Sequence, residues 1–351
     1  MLQLLARLYT EEDRYRDAFQ VMRVSLNVHP NSELTRKIQQ EAGETFDSLF
    51  LAGKGDTLPA IEALGLFYDF RDLTPIGRRG DEMIRRLADR LVAVDLLDQA
   101  AELLQHQVDN RLQGAARAQV ATKLAVIYLL NHKPDRAQAT LRATRTADLS
   151  TEIRNQRLLI EARALSDIGR HELALEVITN VPDREAIRLR SDIHWGARQW
   201  QKSAEQTELM LGDRWRGFEP LTDIDRSDIL RAAIGYALAD DKLGMGRLRE
   251  KFTAKMAQTP DRRAFEVVSG GISVNSPEFR EVARLIASID TLDDFLRDLR
   301  ARYPEINSYS GAPPTASADP KKPDVKSSAK PDSQPTGSIR PRSPAMRTTS
   351  R

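Results

Sequence analysis

No cysteine occurs in the chain, and that absence removes several chemistries at once. There is no disulfide framework, no thiolate nucleophile and no cysteine zinc site. Histidine is scarce and scattered: His29, His106, His132, His171 and His194 stand singly, with no two spaced four apart on one helical face. Aromatics make up only 6% of residues, which argues against a sheet-rich core, while Ala, Leu, Arg, Glu, Asp and Gln dominate. That balance suits amphipathic helices. No uninterrupted apolar run approaches the roughly 18–20 residues a spanning helix needs, so no transmembrane segment is expected. The opening MLQLLARLYTEEDRYRD has neither the apolar stretch nor the small-residue cleavage site of a signal peptide. As written, the chain reads as soluble and cytoplasmic.

A large charge of one sign is missing too, since the whole chain carries only +2. That total conceals an asymmetry. Residues 304–351 hold eight Lys or Arg against four Asp or Glu, a balance of +4, which leaves about −2 on residues 1–303. The body is therefore no clamp for a polyanion. The 304–351 segment also holds nine of the seventeen prolines and one aromatic, Tyr309. It cannot bury enough apolar surface to offset its ordering entropy and is expected to be disordered. Its Pro320–Pro323 and Pro341–Pro344 spacings lack the flanking base that would orient them on an SH3 groove. A solubilising role is favoured over attraction to an anionic surface.

What is present from residue 1 to 303 is helix after helix, broken at Gly, Pro, Asn or Asp. Five pairs share one spacing: Tyr9 and Ala18, Leu91 and Ala100, Tyr128 and Ala137, Leu165 and Ala174, Trp195 and Ala204. In each, a bulky residue precedes an alanine by nine positions. Ahead of the bulky residue runs an apolar stripe, as in Ala121, Leu124, Ala125 and Tyr128. A break follows, such as Asn131–Pro134, with Pro134 suited to open the next helix. Small residues on both helices (Ala6, Ala88, Ala125 and Ala162 on the first) let the backbones approach closely.

On these residues the chain resembles the tetratricopeptide repeats, helix–turn–helix units with a W-x2-L-G-x2-Y … A-x3-F … P pattern. The resemblance implies an all-α, right-handed superhelical solenoid of antiparallel hairpins, about fifteen to seventeen helices by pattern count. It covers about half of residues 1–303. In the fifth unit Asp192 and Glu208 stand where small apolar residues belong, and near Tyr236 the nine-step lands on Met245, so no sixth unit is counted. The 82 residues between Ala18 and Ala100 are read as one enlarged, irregular hairpin at about 31–80. Ser276-Pro277-Glu278-Phe279 and Thr291-Leu-Asp-Asp294 look like helix starts, and helices at about 277–303 are expected to cap the array. The first unit opens without a capping helix and exposes an apolar face. This suggests either a covering chain or a C-terminal segment of a longer, envelope- or secretion-associated protein.

In that family the groove is lined by one face of each repeat's first helix. Carried onto matching positions, the face is Gln3, Arg7, Arg85, Asp89, Thr122, Val126, Leu159 and Arg163. The family's Lys/Asn clamp for a C-terminal carboxylate is absent. A mixed Arg, Asp and apolar groove suits an extended or helical peptide, and an ordinary solvated face is the alternative. Trp215, between Arg214 and Arg216 in a loop, is either an interface anchor or a plug for the next hairpin. Trp195 reads as core.

Sites for chemistry are not found. Asp223, Asp225 and Ser227 resemble a calcium loop, but Asp228 replaces its glycine and Ile234 its bidentate glutamate; they fit a helix start better. The Gly53/Gly55 and Gly244/Gly246 pairs follow no strand and read as turns. His171 reads as surface. No catalytic set, cofactor or metal site is expected. The function indicated is a non-catalytic scaffold or adaptor that holds a protein or peptide, with no specific nucleic acid. Polyanion binding through the tail is the weaker reading.

Overall fold

A computed structural model describes residues 2–28, 33–75, 77–288 and 291–304; from residue 305 onward the tail lies outside the described residues. Among the described residues there are seventeen α-helices and no strand. In chain order these are α1 (Leu2–Glu11), α2 (Tyr15–Val28), α3 (Glu33–Phe50), α4 (Ala60–Asp69), α5 (Arg78–Ala93) and α6 (Leu97–Asn110). Then follow α7 (Gly114–Leu130), α8 (Pro134–Ala143), α9 (Thr151–Asp167), α10 (His171–Val177), α11 (Arg184–Gly196) and α12 (Trp200–Leu211). The last are α13 (Asp223–Leu238), α14 (Lys242–Met256), α15 (Arg262–Ser269), α16 (Pro277–Ala287) and α17 (Thr291–Arg302). Helices pack chiefly on their neighbours in sequence, as stacked hairpins do.

Six hairpins, α1/α2, α5/α6, α7/α8, α9/α10, α11/α12 and α13/α14, turn in one way. Each places one residue at positive φ: Asp13 (58°), Asp95 (61°), His132 (52°), Gly169 (83°), Arg198 (58°) and Asp240 (51°). The next amide donates back five residues, as in Arg14 N to Tyr9 O and Lys133 N to Tyr128 O, both 2.8 Å. This left-handed cap satisfies a carbonyl that the helix end would otherwise leave bare. The carbonyl after it then starts the second helix, accepting from Ala18 N at 3.0 Å and Ala137 N at 3.2 Å. The nine-residue spacing read from the sequence is thus set by the backbone. The seam alanines of the first four such hairpins are all buried.

The same backbone ruler corrects two readings. In α11/α12 the closing bond runs from Gln199 N to His194 O (2.8 Å), and Ser203 N bonds Gln199 O (3.0 Å). His194 and Ser203 are therefore the equivalent pair, one position before Trp195 and Ala204. The seam residue is Ser191 rather than Asp192, and Thr207 takes the place assigned to Glu208. These hydroxyls replace methyl contacts with bonds: Ser191 Oγ lies 3.1 Å from Ser203 Oγ and 2.7 Å from Thr207 Oγ1. A sixth hairpin also exists, since Asp241 N bonds Tyr236 O at 2.9 Å. Its close contact is made by buried Gly244, where a Cβ would stand 2.3 Å from the Tyr236 ring. The sequence reading failed there because the small residue sits one place before Met245.

The enlarged region at 31–80 contains α3, α4 and two short 3-10 turns, Lys54–Thr57 and Arg71–Leu73. Phenylalanine fills it. Phe19, Phe46, Phe50, Phe67 and Phe70 form one cluster with ring centroids 4.6–6.0 Å apart. Arginines then tie successive hairpins together by capping the preceding helix end. Arg117 Nε donates to Val108 O (2.9 Å), Arg157 Nη2 to Leu141 O (2.8 Å) and Arg190 Nη1 to Ile178 O (2.9 Å). At the start of the array α1 exposes Leu4, Leu5 and Leu8.

The buried apolar residues form two clusters. One runs through α1–α11 and the other through α12–α16. Ser276 caps α16 as expected, its Oγ accepting from Phe279 N at 3.1 Å. α16 packs on α13 and α15. α17 does not cap the array beside it. Its Leu292, Phe295, Leu296 and Leu299, with Tyr303 just beyond, join the first cluster and pack against α11. Thr291 is already the first residue of this helix rather than the cap position the sequence suggested, and the residue before it lies outside the described residues.

Candidate interaction face

The eight positions assigned to the groove meet different fates. Gln3 Nε2 donates to Glu41 Oε1 at 2.9 Å, and exposed Arg7 pairs with the same carboxylate. The bond from Arg7 is the main cause that holds Glu41 below the usual carboxylate range. Both residues bridge α1 to α3. Arg85 and Asp89 are half-buried on α5, and Asp89 pairs with Lys123 on α7. Burial dominates that pair: it pushes the Asp89 carboxyl up and the Lys123 amine down to about 8, each against the pull of its partner.

Thr122, Val126 and Leu159 are buried and are not presented to a partner in this structure. Thr122 Oγ1 donates to Ala118 O (2.7 Å) and accepts from Arg157 Nη1 (2.9 Å), so its polar atom is spent inside. The reason lies in α7, which is buried nearly all round, with α6, α8 and α9 packed against it. Helical periodicity alone does not reveal how many neighbouring helices close over a face.

Arg163 is only 9% exposed, and what contacts it is α17. Its Nε donates to both oxygens of Asp167 (3.0 and 3.1 Å), its Nη1 to Thr291 Oγ1 (3.2 Å), and its guanidinium lies 5.9 Å from the Phe295 ring centre. The corrected register of the fifth hairpin adds two residues that sequence reasoning missed. Arg188 stands three before Ser191, as Arg85 stands three before Ala88, and Asp192 stands one after, as Arg163 stands after Ala162. Arg188 bonds both oxygens of Asp228 on α13 (3.2 and 3.0 Å) and Asp298 on α17 (3.1 Å). Asp192 pairs with Arg231 at 2.7 Å, whose guanidinium lies 4.9 Å from the Trp195 ring centre.

Burial opposes the charges of Asp192, Asp228 and Arg188. It pushes the Asp192 and Asp228 carboxyls up, against the pull of Arg231 and Arg188. It works against Arg188 also, but the carboxylates facing that guanidinium outweigh it and hold its charge. Asp228 gains less from its arginines because Asp192 repels it. The one-residue slip had hidden this network.

Trp215 packs half-buried against the second cluster, with the Arg216 guanidinium 4.6 Å from its ring centre. The freely presented aromatic of that loop is Phe218, three residues on. Among the described residues, no group of three or more His, Cys, Asp or Glu is placed to hold a metal ion. Nor is any helix among them long and apolar enough to cross a membrane. No protein-family model and no curated protein matches this chain.

Proposed function

We propose that this chain is a non-catalytic interaction module, tetratricopeptide-like in its hairpins, that holds a protein segment against the first helices of its array. One observation carries the reading. The face formed by α9 and α11 already holds an amphipathic helix, with Arg163 and Arg188 bonded to Thr291 and Asp298. A surface that binds one such helix through a charge pair, a hydroxyl and an aromatic has the chemistry of helix-in-groove recognition. The shared turn geometry and the buried alanine seams support the family resemblance.

Affinity capture from the source cell with the full chain tests this. Wild type and an α6 control, Glu102→Lys, are expected to recover the same partner, and Arg85→Glu to lose it with helicity unchanged. A partner retained by Arg85→Glu, or none with wild type, would overturn the reading.

A further inference from the structure

The last helix joins a part of the protein remote in sequence. α16 belongs with α13 and α15, whereas α17 lies on α9 and α11, 128 positions from Arg163 in its contact through Thr291. We propose that α17 is a displaceable in-chain occupant of the interaction face. The partner that replaces it is an amphipathic helix with an aromatic and, three positions later, an acid, in the places of Phe295 and Asp298. This inference rests on the interaction-module reading and names the chemistry of its partner.

When α17 leaves, Arg163, Arg188 and Asp192 stay behind on the array. A fixed core element cannot usually be lifted away without stranding charge in the interior. Here the charged floor has its own counter-charges. Arg163 keeps Asp167 on its own helix, and Arg188 keeps Asp228 on α13. Neither arginine depends on α17 for neutralisation. Asp192 likewise keeps Arg231. The charged part of the α17 site therefore tolerates water as well as a helix.

α17 itself is built to stand alone. Asp293 and Asp294 lie in its first turn and Arg300 and Arg302 in its last, complementing the helix dipole, and Arg297 pairs with Asp294 at 2.6 Å. Its apolar stripe, Leu292, Phe295, Leu296 and Leu299, is the part that docks. Its polar contacts with the array, through Thr291, Asp298 and Tyr303, each use one side-chain atom of α17 or the residue after it. These are contacts a second helix of like pattern can copy.

The test uses the full chain and a fluorescent peptide of residues 291–304. Wild type, with its face occupied, should bind weakly. Phe295→Ala/Asp298→Arg, which loosens the resident helix, should bind about tenfold tighter or more, because the competent fraction rises. Adding Arg188→Glu should abolish binding, and a peptide carrying Asp298→Arg should restore part of it. Native-state hydrogen exchange needs no variant: α17 amides should open well before those of α9 and α11. The proposal falls if α17 amides exchange only with global unfolding, or if the loosened variant gains no affinity or loses its cooperative thermal transition. It falls also if peptide uptake by wild type proceeds only as a dimer dissociates in sedimentation, which would assign the face to a second copy. A fixed α17 would leave the Arg85 capture result standing, so the two readings fail separately.

Discussion

At the scale of single residues, closeness of backbones decides more than chemistry does. Gly244 leaves no room for a methyl group beside Tyr236, whereas Gly246 meets nothing within 4 Å. Gly244→Ala should therefore cost roughly 1–3 kcal/mol by overpacking. Gly246→Ala should stabilise the helix by about 0.5–1 kcal/mol. Urea unfolding of both variants checks the pair, and equal effects would contradict the sixth hairpin. Arg157 is the opposite kind of residue, buried and bonded to Ala118 O, Leu141 O and Thr144 O. Burial pushes its guanidinium down to about 10, yet it stays charged at neutral pH. Arg157→Met removes these buried charge-assisted bonds and should cost about 3 kcal/mol in the same assay.

Lys123 supplies a pH dependence. Its amine titrates near 8 in the folded chain because burial outweighs Asp89. Below that pH the folded state must hold a poorly solvated charge that the unfolded chain holds in water, so the lysine costs stability. The cost fades as pH climbs from about 8 to about 10.4, the ordinary lysine value. Wild type should thus gain roughly 2–3 kcal/mol relative to Lys123→Met over that range. A difference that stays flat from pH 8 to 10.4 would refute the assignment.

At the scale of elements, the legible parts were those whose cause is local. Helix starts at Ser276 and Pro134, the hairpin between α7 and α8, and the outlier region at 31–80 all follow from caps, breakers and period, which a sequence carries openly. The fifth hairpin was misread by one residue because Trp195 and Ala204 mimic a pair that His194 and Ser203 form. Bulk at Trp195 does not set the register; the backbone bond from Gln199 to His194 does. The destination of α17 was not legible at all, since no local rule states which remote face an amphipathic helix will cover. Three of the eight candidate positions, Thr122, Val126 and Leu159, sit on correct helices but inside, since neighbouring helices of the array close over them. The phenylalanine cluster gives an element-scale prediction. Phe46, fully buried against three rings, should cost about 3–5 kcal/mol on truncation to alanine. Phe218→Ala, at a fully exposed loop, should stay within about 0.5 kcal/mol of wild type. Thermal or urea denaturation separates them.

At the scale of the whole molecule, the two apolar clusters set how changes combine. Ala137 sits in the first and Gly244 beside the second, with two hairpins, α9/α10 and α11/α12, between theirs. Ala137→Leu should cost roughly 1–3 kcal/mol alone. In a double variant its cost and that of Gly244→Ala should add to within about 0.5 kcal/mol. A larger departure would mean the array melts as one indivisible body rather than through neighbour terms.

The hairpin corners carry a last consequence. Aspartate, histidine, glycine and arginine all occupy the left-handed position, because an amide and a carbonyl complete each corner whatever side chain hangs outside. Such corners can be rewritten freely in lettering while their length stays fixed. A deletion of one residue at Asp95 would rotate everything after it by about 100° about the helix axis, whereas replacing that aspartate with glycine would pass almost unnoticed.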